Sequence, residues 1–345
     1  MGQKSQTNSF DIAFLAGVSQ PTVSRALRNS PLVSRETRHK VQQIARQLNY
    51  KVDKNASNLR SLTAGTLALL FFEDPSLDET QINPFFFSMV GSITRACGQR
   101  GYDLLVSFQQ SSQDWYADYE DSKKADGLIL LGYGDAVIYR ERLQQLMRRQ
   151  THFVLWGAVD DSQPWVTIGS NNVQGGREMT AHLVSTGRRR IAFLGNASEH
   201  CPEFYARYLG HLAALAEAGI QADSALQVDV RTSAEHEGHL AISKLLARNV
   251  PFDAVFAASD LIAIGALREL QMRGFRVPQD IAIAGFDDLP IASLGNPSLS
   301  TVAQNTHHAG RVLVESLLSL IAGKPVASQA IPTTLALRAS SAANH

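Results

Sequence analysis

The sequence predicts an α/β protein in which a head of three helices precedes a two-lobed core of parallel sheets. Residues 1–50 contain only helical patterns, whereas from Leu67 onward short apolar runs alternate with amphipathic stretches. That alternation is typical of parallel strands joined by crossover helices. About 280 residues of this second kind exceed one small domain, which favours two lobes with a ligand cleft between them.

Charge divides the chain at the same place. Residues 1–60 contain 10 Lys and Arg against 3 Asp and Glu, a net charge of +7, and the whole chain contains 32 of each kind, so residues 61–345 carry −7. A basic end on an acidic body is expected when only that end binds a polyanion.

The first two helices are predicted to meet at Gly17, as in a helix-turn-helix. Ser19 is placed to cap the second helix, and Pro21 is tolerated in a first turn because those amides have no partner within the helix. The exposed side of the second helix then carries Gln20, Pro21, Thr22, Ser24, Arg25 and Arg28. Such groups suit phosphate anchoring and base-edge readout in a major groove. The alternative is an ordinary helical hairpin with solvated polar residues.

A third helix is predicted from a cap at Ser34 to about Leu48, which allows three helices to enclose a small core. Residues 51–66 have little apolar periodicity and alone predict a linker. Beyond them, the predicted strands are residues 67–72, 103–108, 127–131, 151–156, 191–194, 254–257 and 281–286.

These motifs together resemble the lactose/galactose repressor (LacI/GalR) family of transcription regulators, along essentially the whole chain. The N-terminal matches are residues 16–19, 22–25, 33–37 and 48–50. The matches in the core are residues 83–86, 175–176, 187–195, 259–260, 265–267, 277–278 and 285–288. The resemblance implies a core like that of periplasmic binding proteins. It also implies a DNA-binding domain over 1–50, a hinge over 51–65 and an effector-binding and dimerisation core over 66–345, with lobes of about 66–170 with 303–330 and 171–302 with 331–340.

The resemblance also assigns roles in DNA binding. Base edges would be read from Gln20, Pro21 and Arg25, and phosphates would be contacted by Ser19, Thr22, Ser34 and Thr37. Ala56 and Leu59 fall where a hinge helix enters the minor groove, with Leu59 as the wedge between bases. The alternative for Leu59 is packing against the regulatory body.

For the effector, Asp287 follows an apolar strand and precedes a loop, which aims its carboxylate into the cleft. In the family this position hydrogen-bonds the effector. Ser259 falls at the other frequent ligand position, while Asp260 is expected to cap the following helix. A capping role for Asp287 is the alternative, although Asp288 is better placed for it.

Two family positions differ in this chain. The arginine that clamps effectors aligns with Tyr205, with Arg207 two residues further on, and the acid at the end of the 151–156 strand is replaced by Gly157. Without that guanidinium a neutral sugar is expected rather than an anion. The remaining predicted effector contacts are Trp156, Phe85, Asn83 and Glu73. Ordinary core packing is the alternative for the two aromatic residues.

No catalytic, metal-binding or cofactor-binding motif is recognised, so we expect no enzyme activity, no metal and no cofactor. Two cysteines, no apolar leader and no transmembrane stretch favour a cytoplasmic protein. Residues 335–345 lack a leucine heptad, so we expect a homodimer without a tetramerising coiled coil. Two identical heads suit a pseudo-palindromic operator. We expect a repressor of carbohydrate-utilisation genes that does not bind membranes. The alternative is a solute-binding protein, or a sensor of a nucleobase or other small metabolite, with the same two-lobed core.

Overall fold

The computed structural model describes residues 8–27, 29–48, 50, 63–71, 83–108, 119–132, 134–230 and 232–343. The chain divides into two compact units, Met1–Thr63 and Ala64–His345. Of the predicted site residues, Arg28, Ala56, Leu59 and Glu73 lie outside the described residues.

The N-terminal unit contains the three predicted helices. They are α1 (Ser9–Ala16), α2 (Gln20–Leu27) and α3 (Arg35–Gln47). Gly17 ends α1 with a φ of 68°, a left-handed conformation that favours glycine, and Ser34 caps α3 by accepting a hydrogen bond from the amide of Thr37. Their shared core includes Ile12, Val23, Ala26 and Val41. The predicted helix-turn-helix head is therefore confirmed.

The first lobe of the second unit is built on a six-stranded sheet whose described pairings are all parallel, in the order β11-β5-β4-β3-β1-β2. Leu69, in the strand next to one edge of the sheet, lies opposite Val106 on one side and Ile129 on the other. The strands are β1 (Thr66–Phe71), β2 (Asp103–Phe108), β3 (Leu128–Leu131), β4 (Phe153–Trp156), β5 (Thr167–Ser170) and β11 (Gln329–Ile331).

The second lobe is built on another six-stranded sheet, in the order β12-β10-β9-β8-β6-β7. Its pairings are parallel except that of β12, which is antiparallel to β10. The strands are β6 (Ile191–Leu194), β7 (Gln227–Val228), β8 (Ala254–Ala257), β9 (Ala282–Asp287), β10 (Ser300–Ala303) and β12 (Thr334–Ala336).

Helices cover both sheets, as parallel sheets require. In the first lobe α4 (Pro84–Gln99) packs against α10 (Thr306–Ile321) on one face, and α5 (Ala136–Arg148) covers the other. In the second lobe α6 (Asn172–Ser185) packs on α7 (Pro202–Glu217), and α8 (Glu235–Ala247) packs on α9 (Asp260–Met272). No helix in the described part of the chain is long and apolar enough to cross a membrane.

The chain passes between the two sheets three times. The crossings lie between β5 and α6, between β10 and α10, and between β11 and β12. Hydrogen bonds join neighbouring crossings: the amide of Asn171 donates to the carbonyl of Ile331 (2.8 Å), and the hydroxyl of Ser170 donates to the side chain of Gln304 (2.5 Å). The three crossing segments that connect the lobes are thus hydrogen-bonded to one another.

All seven predicted strands are confirmed, three with the predicted limits and four with ends that shift by one or two residues. The sequence did not predict β5, β7, β10, β11 and β12. These strands have two to four residues, and several carry Thr, Ser or Gln. Runs this short and polar give no apolar periodicity, so their pairing is decided by neighbouring strands.

Candidate functional site

Asp287 ends β9 at the boundary between the lobes. Its side chain is buried, and Oδ1 accepts a hydrogen bond from Nε2 of Gln304 at 2.6 Å. Oδ2 is also buried, and it has no hydrogen-bond partner among the residues that the structure describes. The backbone φ of 125° is a strained value for a residue with a Cβ. An unpaired, buried carboxylate oxygen held by strained backbone indicates a place where a ligand donates a hydrogen bond.

Arg207 lies beside this carboxylate. Its Nη1 is 3.9 Å from Oδ1 of Asp287, and its guanidinium carbon is 3.8 Å from the ring centre of Phe286. Nε donates to the side-chain oxygen of Asn172 (2.9 Å), and Nη1 also donates to the carbonyl of Ala258. The guanidinium is therefore buried, oriented by neutral acceptors and paired with a single close carboxylate.

The close packing of α6 on α7 fixes the position of Arg207. A Cβ added to Gly176 would lie 2.2 Å from the carbonyl oxygen of Arg207. A glycine is therefore required for α7 to come close enough to aim this arginine at Asp287.

Two carboxyl groups share the buried region around this arginine. Burial raises the pKa of Asp287 to about 7, although Arg207 and Gln304 oppose the rise. Burial, followed by the nearby Asp287, raises the pKa of Asp260 well above its ordinary value. The carboxyl of Asp260 accepts hydrogen bonds from the hydroxyl of Thr301 and the amide of Leu289. The interaction of the two acids favours keeping one of them protonated.

The expectation that Asp260 caps the following helix is wrong. Ser259 is the cap, and its hydroxyl accepts a hydrogen bond from the amide of Ile262 (3.3 Å). Asp260 already lies inside α9, where its carboxyl is held by Thr301 and Leu289. Asp288 does not cap a helix either, since it forms an ion pair with Arg338 at 2.6 Å.

Asn83 and Ser259 are connected through a residue that the sequence did not indicate. Asn83 caps α4 in the first lobe, and its side-chain amide donates to the hydroxyl of Ser233 (3.2 Å). The hydroxyl of Ser233 donates in turn to the hydroxyl of Ser259 (2.7 Å). These three side chains form a polar link between the lobes. Ser233 lies 26 residues from Ser259 and 150 from Asn83, so no local pattern could reveal it.

Of the two predicted effector residues on α7, the structure places Arg207, and not Tyr205, beside Asp287. Tyr205 is 39% exposed on α7, whereas Arg207 is 1% exposed beside Asp287. Two positions along a helix differ by about 200° in direction, so the two side chains cannot replace one another.

Phe85 and Trp156 lie in the core of the first lobe, 1% and 3% exposed, with ring centres 6.0 Å apart. Core packing accounts for both rings, and neither presents an exposed face for the predicted stacking on a sugar. The alternative of ordinary core packing describes these two residues.

The predicted phosphate contacts lie at the starts of two helices, whereas Arg25 lies in the last turn of α2. Ser19, Pro21 and Arg25 are exposed at α2, opposite the buried Val23 and Ala26. The hydroxyls of Ser19 and Thr22 are hydrogen-bonded (2.9 Å), as are those of Ser34 and Thr37 at the start of α3 (2.8 Å). Gln20 and Ser24 are half-buried on α2. Exposed hydroxyls and amides at helix N-termini are suited to phosphate.

Comparisons with known proteins agree for both units. Residues 10–53 match the description "Bacterial regulatory proteins, lacI family", and residues 180–341 match "Periplasmic binding protein-like domain". The HTH-type transcriptional regulator CelR of Thermobifida fusca is 31% identical over 321 residues, covering 91% of each chain.

Solved structures resemble the whole chain. A CelR–cellobiose complex has 29% identity and a TM-score of 0.72, covering 97% of this chain and 99% of that one. The Lac repressor dimer bound to operator and the anti-inducer ONPF has 25% identity and a TM-score of 0.81, covering 98% and 99%.

Proposed function

Because the chain belongs to the LacI family of bacterial regulatory proteins and is a DNA-binding regulator with an effector, we propose that its effector is a neutral sugar held at Asp287 and Arg207. We further propose a cytoplasmic homodimer that represses carbohydrate-utilisation genes from a pseudo-palindromic operator. Residues 1–50 would bind DNA, 51–65 would form the hinge, and 66–345 would bind effector and dimerise.

The buried, unpaired Oδ2 of Asp287 carries the proposal for a neutral sugar. A sugar hydroxyl can donate to this oxygen without adding charge. The charge of Arg207 is already balanced by Asp287 at 3.9 Å, so an anionic effector would add an uncompensated negative charge next to buried carboxyls. Cellobiose, bound in the CelR complex, is a neutral disaccharide. A neutral sugar is also the class expected from the sequence on the ground of a missing arginine, but Arg207 is present and already paired with Asp287.

The DNA-binding surface is assigned to the exposed side of α2. Gln20 and Arg25 offer amide and guanidinium groups for base edges, while Pro21 can contribute only apolar contact or shape. Ser19, Thr22, Ser34 and Thr37 would anchor phosphates. The roles of Arg28, Ala56 and Leu59 remain predictions from the family resemblance.

The hydrogen bonds around Asp287 suggest how effector binding biases the arrangement of the two lobes. Gln304 bonds both Asp287 and Ser170, and Arg207 bonds Asn172, so the effector site is joined to two of the crossings between lobes. An effector that prefers one arrangement of the lobes shifts the population toward it. The crossings are the segments that must change conformation for the lobes to rotate.

A binding screen tests the effector class. Melting temperatures of the full chain would be measured with cellobiose, D-ribose, D-ribose 5-phosphate and cytidine, since a ligand of the folded state raises the melting temperature by mass action. A neutral sugar should bind the wild type and the exposed control Asp161→Asn, but not Asp287→Asn. Binding of only the phosphate ester or cytidine would refute the neutral-sugar proposal.

DNA binding is tested separately by selecting duplexes from a random pool. We expect enrichment of an inverted repeat, bound by two chains. If no sequence is enriched over non-specific DNA, the proposed operator recognition is wrong.

A further inference from the structure

Glu203 is a buried acid that neither the sequence motifs nor the site described above includes. It lies in the first turn of α7 in the second lobe and is 9% exposed. Its Oε1 lies 3.2 Å from where a Cβ on Gly157 would stand, and Gly157 directly follows β4 of the first lobe. A carboxylate from one lobe thus occupies the space left by a missing side chain on the other.

The neighbours of Glu203 connect it to the effector site. It precedes Arg207 by four residues, so both side chains project from the same face of α7. Burial raises the pKa of Glu203, while a hydrogen bond from its own backbone, the charge of Arg207 and the backbone of Ala158 favour its ionised form. Within the described residues no Lys, Arg or His forms an ion pair with Glu203. A buried carboxyl without a close cation opposes folding unless another group compensates it.

We infer that Glu203 supplies the effector with a hydrogen-bond acceptor from the second lobe, at the edge of the first lobe where Gly157 has no side chain. This inference rests on the proposed function and deepens it. The acceptor suits a hydroxyl of a neutral sugar. Because the carboxylate reaches the first lobe only while the two lobes are together, Glu203 links recognition of that hydroxyl to lobe closure.

The contact across the lobes is tested first, without any ligand. Gly157→Asp would place a second carboxylate beside Glu203. It should therefore lower the melting temperature more in the wild type than in a Glu203→Gln background. We expect the two changes to be non-additive by about 2 °C or more in melting temperature. Gly157→Asn, which has the same shape without the charge, should show less coupling to Glu203→Gln. Additive melting temperatures in both cycles would overturn the inference.

Effector binding is tested next, by calorimetry with cellobiose and D-ribose. Glu203→Gln should weaken binding of whichever sugar the wild type binds by about tenfold or more, the usual effect of losing a hydrogen bond to a charged group. Glu217→Gln, at the exposed end of the same helix, should leave that affinity unchanged.

The outcomes separate this inference from the proposed function. Unchanged affinity in Glu203→Gln, with binding lost in Asp287→Asn, removes Glu203 from the site and leaves the neutral-sugar proposal standing. If neither sugar binds the wild type but the mutant cycle shows coupling, the sugar proposal fails while the placement of Glu203 against Gly157 is supported.

Discussion

Replacing Asp287 with Asn should stabilise the protein at pH 8 while removing its response to effector. The carboxyl is buried, and among the described residues only one of its two oxygens has a hydrogen-bond partner. Asn has nearly the same shape, and its Oδ1 can still accept the hydrogen bond from Gln304. The substitution therefore removes a buried charge with little change in packing, and the lost attraction to Arg207 is already included in the raised pKa of Asp287.

The size of the effect follows from the pKa of Asp287, which burial raises from 3.8 to about 7. A pKa difference of about 3, at about 1.4 kcal/mol for each pKa unit, corresponds to about 4 kcal/mol in the free energy of unfolding. The pKa of Asp287 is higher in the folded state than in the unfolded state. The protonated carboxyl therefore contributes this free energy of unfolding in full below pH 3.8, and the contribution declines as the pH rises and is lost above about pH 7.

The assay is urea unfolding of wild type and Asp287→Asn between pH 4 and pH 8. The free energy of unfolding of the wild type should fall relative to the variant across this range. The exposed Asp161→Asn should follow the wild type. A stability difference between wild type and Asp287→Asn that does not change with pH would refute the reasoning that the carboxyl is held unfavourably for the effector.

Three further substitutions test other parts of the structure. Arg25→Ala should abolish specific operator binding while calorimetry still detects effector binding; normal operator affinity would contradict the assignment of α2. Gly176→Ala should destabilise the chain by about 1–3 kcal/mol and weaken effector binding, because its methyl group would lie 2.2 Å from the carbonyl of Arg207; unchanged melting and affinity would show that the helices need not approach so closely. Ser340→Ala should cost about 1–3 kcal/mol in urea unfolding, because the buried hydroxyl accepts from the amide of Ser300 and donates to the carbonyl of Ile283; a change within measurement error would show that water replaces it.

The fold was largely predictable because its central strands are buried on both faces and therefore appear as continuous apolar runs. β6 and β8 matched their predicted limits for this reason. β5, with the sequence Thr-Ile-Gly-Ser, is fully buried but carries too little apolar character to be recognised. Its place in the sheet depends on pairing with β4 and β11, which is information that a linear pattern does not contain.

The candidate site was only partly predictable. Asp287 could be found because a polar residue directly after an apolar strand lies at the carboxyl edge of a parallel sheet. Choosing between Tyr205 and Arg207 required the rotation of α7 against α6, which is set by Gly176. Gln304 approaches Asp287 only through the second crossing between lobes, and no local pattern in the sequence reports that approach.

The antiparallel strand β12 and the short segment after it have a consequence for synthesis of the protein. The buried hydroxyl of Ser340 is hydrogen-bonded to both β9 and β10. Arg338 forms an ion pair with Asp288, the residue that follows Asp287. The N-terminal unit has a core of its own within the first 50 residues, but the second sheet stays incomplete until residues 334–341 have left the ribosome. At about 5–20 residues per second, some 290 further residues take roughly 15 to 60 s to add. Each new chain therefore has a folded DNA-binding head for some time before it can respond to effector.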